Sequence, residues 1–191
     1  MDPSHQILTI LDDALAVKDA FIRPQVDKIR ETAELLAIAL AAGGKLLVFG
    51  NGGSAADAQH MAAEFVNRFQ LERRPLPAIA LTTDTSVITS IGNDCGFDQI
   101  FAKQVQALGR GGDVALGIST SGNSPNVLKA IQTAAGLGLL TIALTGGGGG
   151  ALASAADRVF CAPSAVTARI QEAHILLGHC LCEFIEDRLV G

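Results

Sequence analysis

The stretch Phe49–Phe65, "FGNGGSAADAQHMAAEF", decides how the rest of the chain is read. An apolar run ends in it, a glycine-bearing turn follows, and residues with helical spacing come next. A strand passing through a glycine turn into a helix is the repeating unit of a parallel α/β sheet. The run that leads into it, "KLLVFG" (45–50), is nearly continuous in apolar residues, as strands covered on both faces are. Similar runs recur at "PAIAL" (77–81), "DVALGIS" (113–119), "LLTIALT" (139–145) and "RVFCAP" (158–163). Helical segments are expected between them at 53–69, 84–92, 97–107, 124–136 and 148–155. The alternation predicts an α/β three-layer sandwich, with a five-stranded parallel sheet and helices on both faces.

Two amphipathic helices, 4–20 and 24–42, are expected ahead of the sheet. Pro24 suits the first turn of the second, and "AAGG" (41–44) reads as its stop. Residues 165–190 form a last long helix. The run "GGGGG" (146–150) reads as a flexible turn with little order. No linker or repeat divides the chain, so residues 1–191 are expected to form one domain, with helices over 1–43 and the core over 44–191.

Composition narrows the class of function. The chain has 191 residues, 49% hydrophobic and 17% charged, which suits a globular fold with a full core. Its 14 basic and 19 acidic residues leave a net charge of −5, and no basic run offers a nucleic-acid surface. "MDPSHQILTILDDALAV" lacks the basic and apolar regions of a signal peptide. No stretch is long and apolar enough to span a membrane. The four cysteines, Cys95, Cys161, Cys180 and Cys182, contain no C-x-x-C pair. Free thiols and a cytoplasmic location are therefore expected.

Ligands of open parallel sheets bind at the carboxyl ends of the strands. Two polar, glycine-bearing turns fall there: "GNGGSAAD" (50–57) and "STSGNS" (119–124). The second offers the hydroxyls of Ser119, Thr120, Ser121 and Ser124 at a helix N-terminus, where free N–H groups and the helix dipole favour an anion. Neither turn has a lysine, so neither is a nucleotide P-loop. An ordinary helix cap is the plainer reading, but a cap needs one hydroxyl and this turn has four. His60 and Glu64, four residues apart on one helix, lie about 40° apart and about 6 Å along the axis. They could ligate one metal, act as an acid–base pair, or form a solvated surface pair. Met61, Ala62, Ala63 and Phe65 beside them favour partial desolvation of the glutamate. The last helix carries Gln171, His174 and His179 among Ile170, Ile175, Leu176, Leu177 and Leu181. These polar residues are either satisfied core or interface groups, or parts of a site.

These pieces together resemble the sugar isomerase (SIS) domain family, and within it the bacterial phosphoheptose isomerases. The likeness covers almost the whole chain through "GNGGSAADAQHMAAE", "PAIAL", "GNDCGFDQIF", "GDVALGISTSGNSPNVLKA" and "RIQEAHILLGH". The resemblance implies a flavodoxin-like SIS fold whose terminal helices serve oligomerisation. It implies conversion of sedoheptulose 7-phosphate to D-glycero-D-manno-heptose 7-phosphate through an enediol, the first step of ADP- or GDP-heptose synthesis for lipopolysaccharide or other surface glycans. Asn51, Gly52, Gly53 and Ser54 match one substrate-contacting turn, and Asn93 and Asp94 match a second contact. Ser119, Thr120, Ser121 and Ser124 match the phosphate loop. His60, Glu64, Gln171 and His179 match positions that bind zinc in some members; Gln171 and Glu64 also match substrate contacts. Glu64 and His179 match the acid–base pair.

The family also contains a non-enzymatic branch that binds the bacterial replication initiator, and a sugar-phosphate sensor would keep the phosphate loop alone. The presence of Glu64 and His179 with an intact "STSGNS" favours the enzyme, because a scaffold needs no proton-transfer groups. The resemblance further implies a homotetramer with sites at subunit interfaces and a small phosphosugar as partner. Gln171 and His179, eight residues apart, would stand about 12 Å apart along a straight helix. Either that helix bends near Gly178 or the site combines chains, and the sequence leaves open whether Glu64 and His179 come from one chain or two.

Overall fold

The computed structural model describes residues 2–190. Helices α1 (Pro3–Ile22) and α2 (Val26–Ala41) come first. Asp2 caps α1, its carboxylate accepting from the Ser4 N–H at 3.1 Å. A 3-10 turn, Arg23–Gln25, joins the two helices. Pro24 lies in that turn and not in the first turn of α2; its missing N–H suits a break between hydrogen-bonded segments.

The alternating part follows as β1 (Leu46–Gly50), α3 (Gly53–Val66), β2 (Ala78–Ala80), α4 (Thr85–Cys95), α5 (Ala102–Leu108), β3 (Val114–Ser119), α6 (Pro125–Gly136), β4 (Leu140–Gly146), β5 (Arg158–Ala162) and α7 (Thr167–Val190). Two expected helices differ from expectation. The 97–107 segment divides into a 3-10 turn, Phe97–Gln99, and α5. The 148–155 segment is a 3-10 turn, Gly150–Ser154. Gly149 and Gly150 there have φ of 83° and 57°, which a right-handed helix does not accommodate.

All five strands pair in parallel, in the order β2-β1-β3-β4-β5. Side chains on β1 alternate between the two faces. Leu46 and Val48 join Leu36, Met61, Phe65 and Leu177 under α2, α3 and α7. Leu47 and Phe49 join Phe101, Val105, Val127 and Ile131 under α5 and α6. Burying each large apolar side chain contributes about 1.5–3 kcal/mol, so two filled faces hold the sheet between its helical layers. Gly117 on β3 lets α6 close in, since a Cβ there would sit 2.9 Å from Val127 Cγ1.

On the opposite face, α7 runs unbroken through Gly178. A Cβ at Gly178 would stand 3.2 Å from Met61 Sδ. The glycine is therefore a place of close helix approach and not a bend. Outside this core, α1 leaves Ile7, Leu8, Ile10, Leu11 and Leu15 exposed. The cysteines are all free, and among the described residues no helix is long and apolar enough to cross a membrane.

His174 is buried on α7. Its Nε2–H donates to the Thr145 carbonyl at 2.8 Å, and its Nδ1 has no partner. Burial pushes its pKa from 6.5 down to about 4, against the pull of that hydrogen bond. Between those values the unfolded chain binds a proton that the folded chain refuses. Stability should therefore be complete above pH 6.5 and fall as the pH drops toward 4, by about 3 kcal/mol in all. Urea unfolding followed across this range should show a slope that His174→Leu reduces; an unchanged slope would remove His174 as its source.

Candidate active site

The order of the sheet reverses between β1 and β3, which pair side by side. The turns after these two strands therefore open beside each other, at the kind of switch point where α/β sheets hold ligands. After β1 the chain turns through Asn51 and Gly52, whose φ is 56°, and enters α3. Ser54 is buried, and its Cβ would stand 2.8 Å from a Cβ at Gly50. The turn is fastened across the switch point by paired amides. Asn51 Nδ2 donates to Asn126 Oδ1, and Asn126 Nδ2 to Asn51 Oδ1, each at 2.8 Å. Asn126 is buried at the start of α6. A lone asparagine after "STSGNSP" carries no local signal of this partnership, so the sequence did not disclose it.

The hydroxyl loop after β3 is compact. Ser119 Oγ lies 2.8 Å from Ser124 Oγ and 3.4 Å from Ser121 Oγ. Ser124 occupies the cap position of α6 but makes no side-chain cap hydrogen bond; its hydroxyl turns to Ser119 instead. The helix-cap reading thus fails for that hydroxyl. Thr120 and Ser121 open onto a cleft shared with Gly147, Ser164 and Thr167.

Gly149 and Gly150 of the five-glycine run pack against this loop. Gly122 has a φ of 66°, and a Cβ on it would overlap the Gly149 carbonyl. A Cβ on Gly150 would come within 2.6 Å of the Ser121 carbonyl oxygen. The Leu152 N–H donates to the Gly122 carbonyl at 3.0 Å, and the Ala151 N–H to Asn123 Oδ1 at 2.9 Å. Glycine serves here for close backbone contact, where the sequence alone suggested looseness.

On α3, His60 stands at the centre of a polar cluster. Its Nε2 lies 3.4 Å from Glu64 Oε1 and 3.0 Å from His179 Nε2. The Glu64 side chain is 22% exposed, so the expected partial desolvation holds. The ring of Phe69 stacks on the His179 imidazole, with centroids 5.3 Å apart. One chain therefore gathers His60, Glu64 and His179 without help from another. The reason is the parallel course of α3 and α7, which sets His60 and Met61 beside His179 and Gly178.

Gln171 makes no hydrogen bond to this cluster; its carboxamide lies against Gly53 at the start of α3. Among the described residues no three His, Cys, Asp or Glu side chains converge as a finished metal cage. Glu64 and His179 meet His60 but make no ion pair with each other. Asn93 and Asp94 lie at the end of α4, where Asn93 Nδ2 donates to Asp94 Oδ1 at 2.7 Å; they make no hydrogen bond to either turn. Asp57, one turn before His60, went unnoticed in the sequence. Burial raises its pKa, with His60 pulling the other way, and its Oδ2 has no partner. Its i, i+3 spacing to His60 was the available signal.

A parallel sheet with a hydroxyl loop and a histidine–glutamate cluster at its switch point defines a phosphosugar-type α/β fold. A SIS domain model matches residues 11–146, more than half of the chain. The chain is similar to the phosphoheptose isomerase of Nitratidesulfovibrio vulgaris, at 60% identity over 87% of this chain and 80% of that one. It is also similar to that of Aquifex aeolicus, at 55% identity over 96% of each. The solved phosphoheptose isomerase from Francisella tularensis superposes with a TM-score of 0.94 at 44% identity, over 98% of this chain and all of that one. The chain belongs to the SIS domain family, in its phosphoheptose isomerase branch.

Gly122→Ala should lower stability by about 1–3 kcal/mol from its left-handed backbone alone, before its overlap with Gly149. In a chain of this size each kcal/mol lowers the melting temperature by about 2–4 °C. Calorimetry should also show weaker binding of a sugar phosphate. Unchanged melting and binding would mean that the contact with the glycine run does not hold the loop.

Proposed function

We propose that this chain interconverts sedoheptulose 7-phosphate and D-glycero-D-manno-heptose 7-phosphate, the first step toward ADP- or GDP-heptose for lipopolysaccharide or other surface glycans. The observation that carries the reading is His60 standing between Glu64 and His179, at 3.4 and 3.0 Å. Relatives at 53–60% identity named phosphoheptose isomerase support the same substrate class.

Ketose and aldose differ by one proton moved between C1 and C2 and another moved between O1 and O2, with no net oxidation. Glu64 takes the C1 proton, the electron pair forms the C1=C2 bond of an enediol, and O2 gains a proton. Return of the carbon-bound proton to C2, with loss of the O1 proton, leaves the aldose. A carboxylate beside the carbons suits the first role. His179 serves the oxygens, since imidazole exchanges protons near neutral pH. His60 touches both and keeps them in register.

Ser119, Thr120, Ser121 and Ser124 take the phosphate. Asn51, Gly52, Gly53, Ser54, Asn93, Asp94 and Gln171, with Glu64, take the open-chain hydroxyls. Holding the far end of the sugar converts proton transfer into a step within a fixed complex.

The donors also suit zinc. Imidazole nitrogens and a carboxylate oxygen are zinc donors, and His60 Nε2 lies 3.4 Å from Glu64 Oε1 and 3.0 Å from His179 Nε2. His60, Glu64 and His179, joined by Gln171 once its carboxamide leaves Gly53, would hold one zinc per subunit, which would supply polarisation of the sugar carbonyl oxygen. The working form is a homotetramer with its sites at subunit interfaces; the exposed Ile7, Leu8, Leu11 and Leu15 of α1 support association. The whole chain acts as one SIS domain in the cytoplasm, on a small phosphosugar and without nucleic-acid or membrane partners.

Glu64→Gln should lower turnover by about 10²–10⁴-fold while sugar-phosphate binding survives. NMR observation of aldose phosphate formation from sedoheptulose 7-phosphate is the measurement, and turnover within a few-fold of wild type would remove Glu64 as the base. A chelator should depress activity and added zinc restore it. Elemental analysis finding no metal in fully active protein would take zinc out of the reaction.

A further inference from the structure

The geometry points to the buried ion pair of Arg73 and Glu186 as a positioning device that holds Glu64 on α3 within reach of His179 on α7. This rests on the functional reading above, in which those two side chains move the protons.

The Arg73 and Glu186 side chains are 4% and 2% exposed, with Nε and Oε1 2.9 Å apart. Burying two charges is costly unless their remaining donors and acceptors find partners. Arg73 Nε, though close to Oε1, makes no hydrogen bond; the other guanidinium donors and the carboxylate oxygens do find partners, and these belong to the site. Arg73 Nη2 donates to the backbone carbonyl of Glu64 at 2.7 Å, and Nη1 to that of Phe65 at 2.9 Å. The last carbonyls of a helix lack partners within it, so Arg73 closes the end of α3 at the residue that bears the base. Glu186 lies seven residues beyond His179, two turns along the same face of α7. Its carboxylate accepts the N–H groups of Phe69, Gln70 and Leu71 at 2.6, 2.7 and 2.8 Å.

Those bonds fix the start of the loop between α3 and β2. Phe69, held there by its own N–H, lays its ring on the His179 imidazole. The pair therefore reaches the cluster by two routes, through the Glu64 backbone and through the face of His179. It touches neither the hydroxyl loop nor α6. An element that only stapled the loop would need the Glu186 bonds but not a guanidinium on the Glu64 carbonyl.

The test is steady-state kinetics with sedoheptulose 7-phosphate on folded wild type, Arg73→Met, Arg73→Lys, Glu186→Gln and Phe69→Leu, beside Glu64→Gln. A displacement of about 1 Å can cost about 10²-fold. Arg73→Met and Glu186→Gln should each lower kcat by about 10-fold or more with KM within about threefold, because the phosphate grip is untouched. Arg73→Lys should recover part of the loss, since an ammonium can still pair with Glu186 and reach one carbonyl. Phe69→Leu, which leaves the ion pair whole, should lower kcat by several-fold.

Folded variants that melt earlier but keep the wild-type kcat would overturn the inference and leave a purely structural staple. If Arg73→Met and Glu186→Gln do not fold, Phe69→Leu decides, and an unchanged kcat in it overturns the inference. An inactive wild type, or an active Glu64→Gln, would instead bring down the functional reading and the inference with it. With wild type active and Glu64→Gln dead, failure of the other variants counts against the ion pair alone.

Discussion

The site depends on a constraint of topology: in the order β2-β1-β3-β4-β5, the chain winds away from β1 in both directions. Where β1 and β3 lie side by side, their following helices, α3 and α6, go to opposite faces of the sheet. A gap opens there, and the "GNGG" and "STSGNS" turns line it. The reciprocal amides of Asn51 and Asn126 close the gap to a fixed width. Each amide satisfies the other with the two-donor, two-acceptor chemistry it carries, so neither turn can swing without stranding a polar group.

A second constraint sets the chemistry. Helices α3 and α7 follow parallel strands and so run in the same direction on the same face. They pack closely where Met61 meets Gly178. With that contact fixed, the residues on either side fall into register, and His60 meets His179 across 119 positions of sequence. Gly53 and Gln171, about two turns earlier on each helix, meet by the same register. The two ends of this helix pair thus serve different parts of one cleft. The end at the carboxyl ends of the strands faces the turn of Asn51, and the middle carries the imidazoles.

What could be read from residues alone follows this division. Strand and helix alternation is a local property, and the runs from "KLLVFG" to "RVFCAP" declared every strand to within about two residues. The four hydroxyls of "STSGNS" and the i, i+4 spacing of His60 and Glu64 are local as well. Contacts between distant segments have no such periodicity. The Asn51–Asn126 pairing, the partnership of His60 with His179 and the seating of Gln171 on Gly53 arise only when the sheet is assembled. The glycine run shows the same limit: composition cannot distinguish a loose turn from backbone packed against backbone. Only the overlap that a Cβ at Gly122 would create makes that choice.

The sheet order has a further consequence, for the growing chain on the ribosome. The register pairs Leu46 with Val114, so the interior strand β1 is made long before its principal neighbour. At about 5–20 residues per second, the roughly 70 intervening residues take several seconds to appear. During that interval Leu46, Leu47, Val48 and Phe49 have only the nascent helices around them and the short edge strand β2, and non-local pairing of this kind is slow to form. Helix α2, already complete ahead of β1, lends one apolar face as an early cover through Leu36 and Leu40. Its place before the first strand therefore shelters the centre of the sheet while translation supplies the strand that completes it.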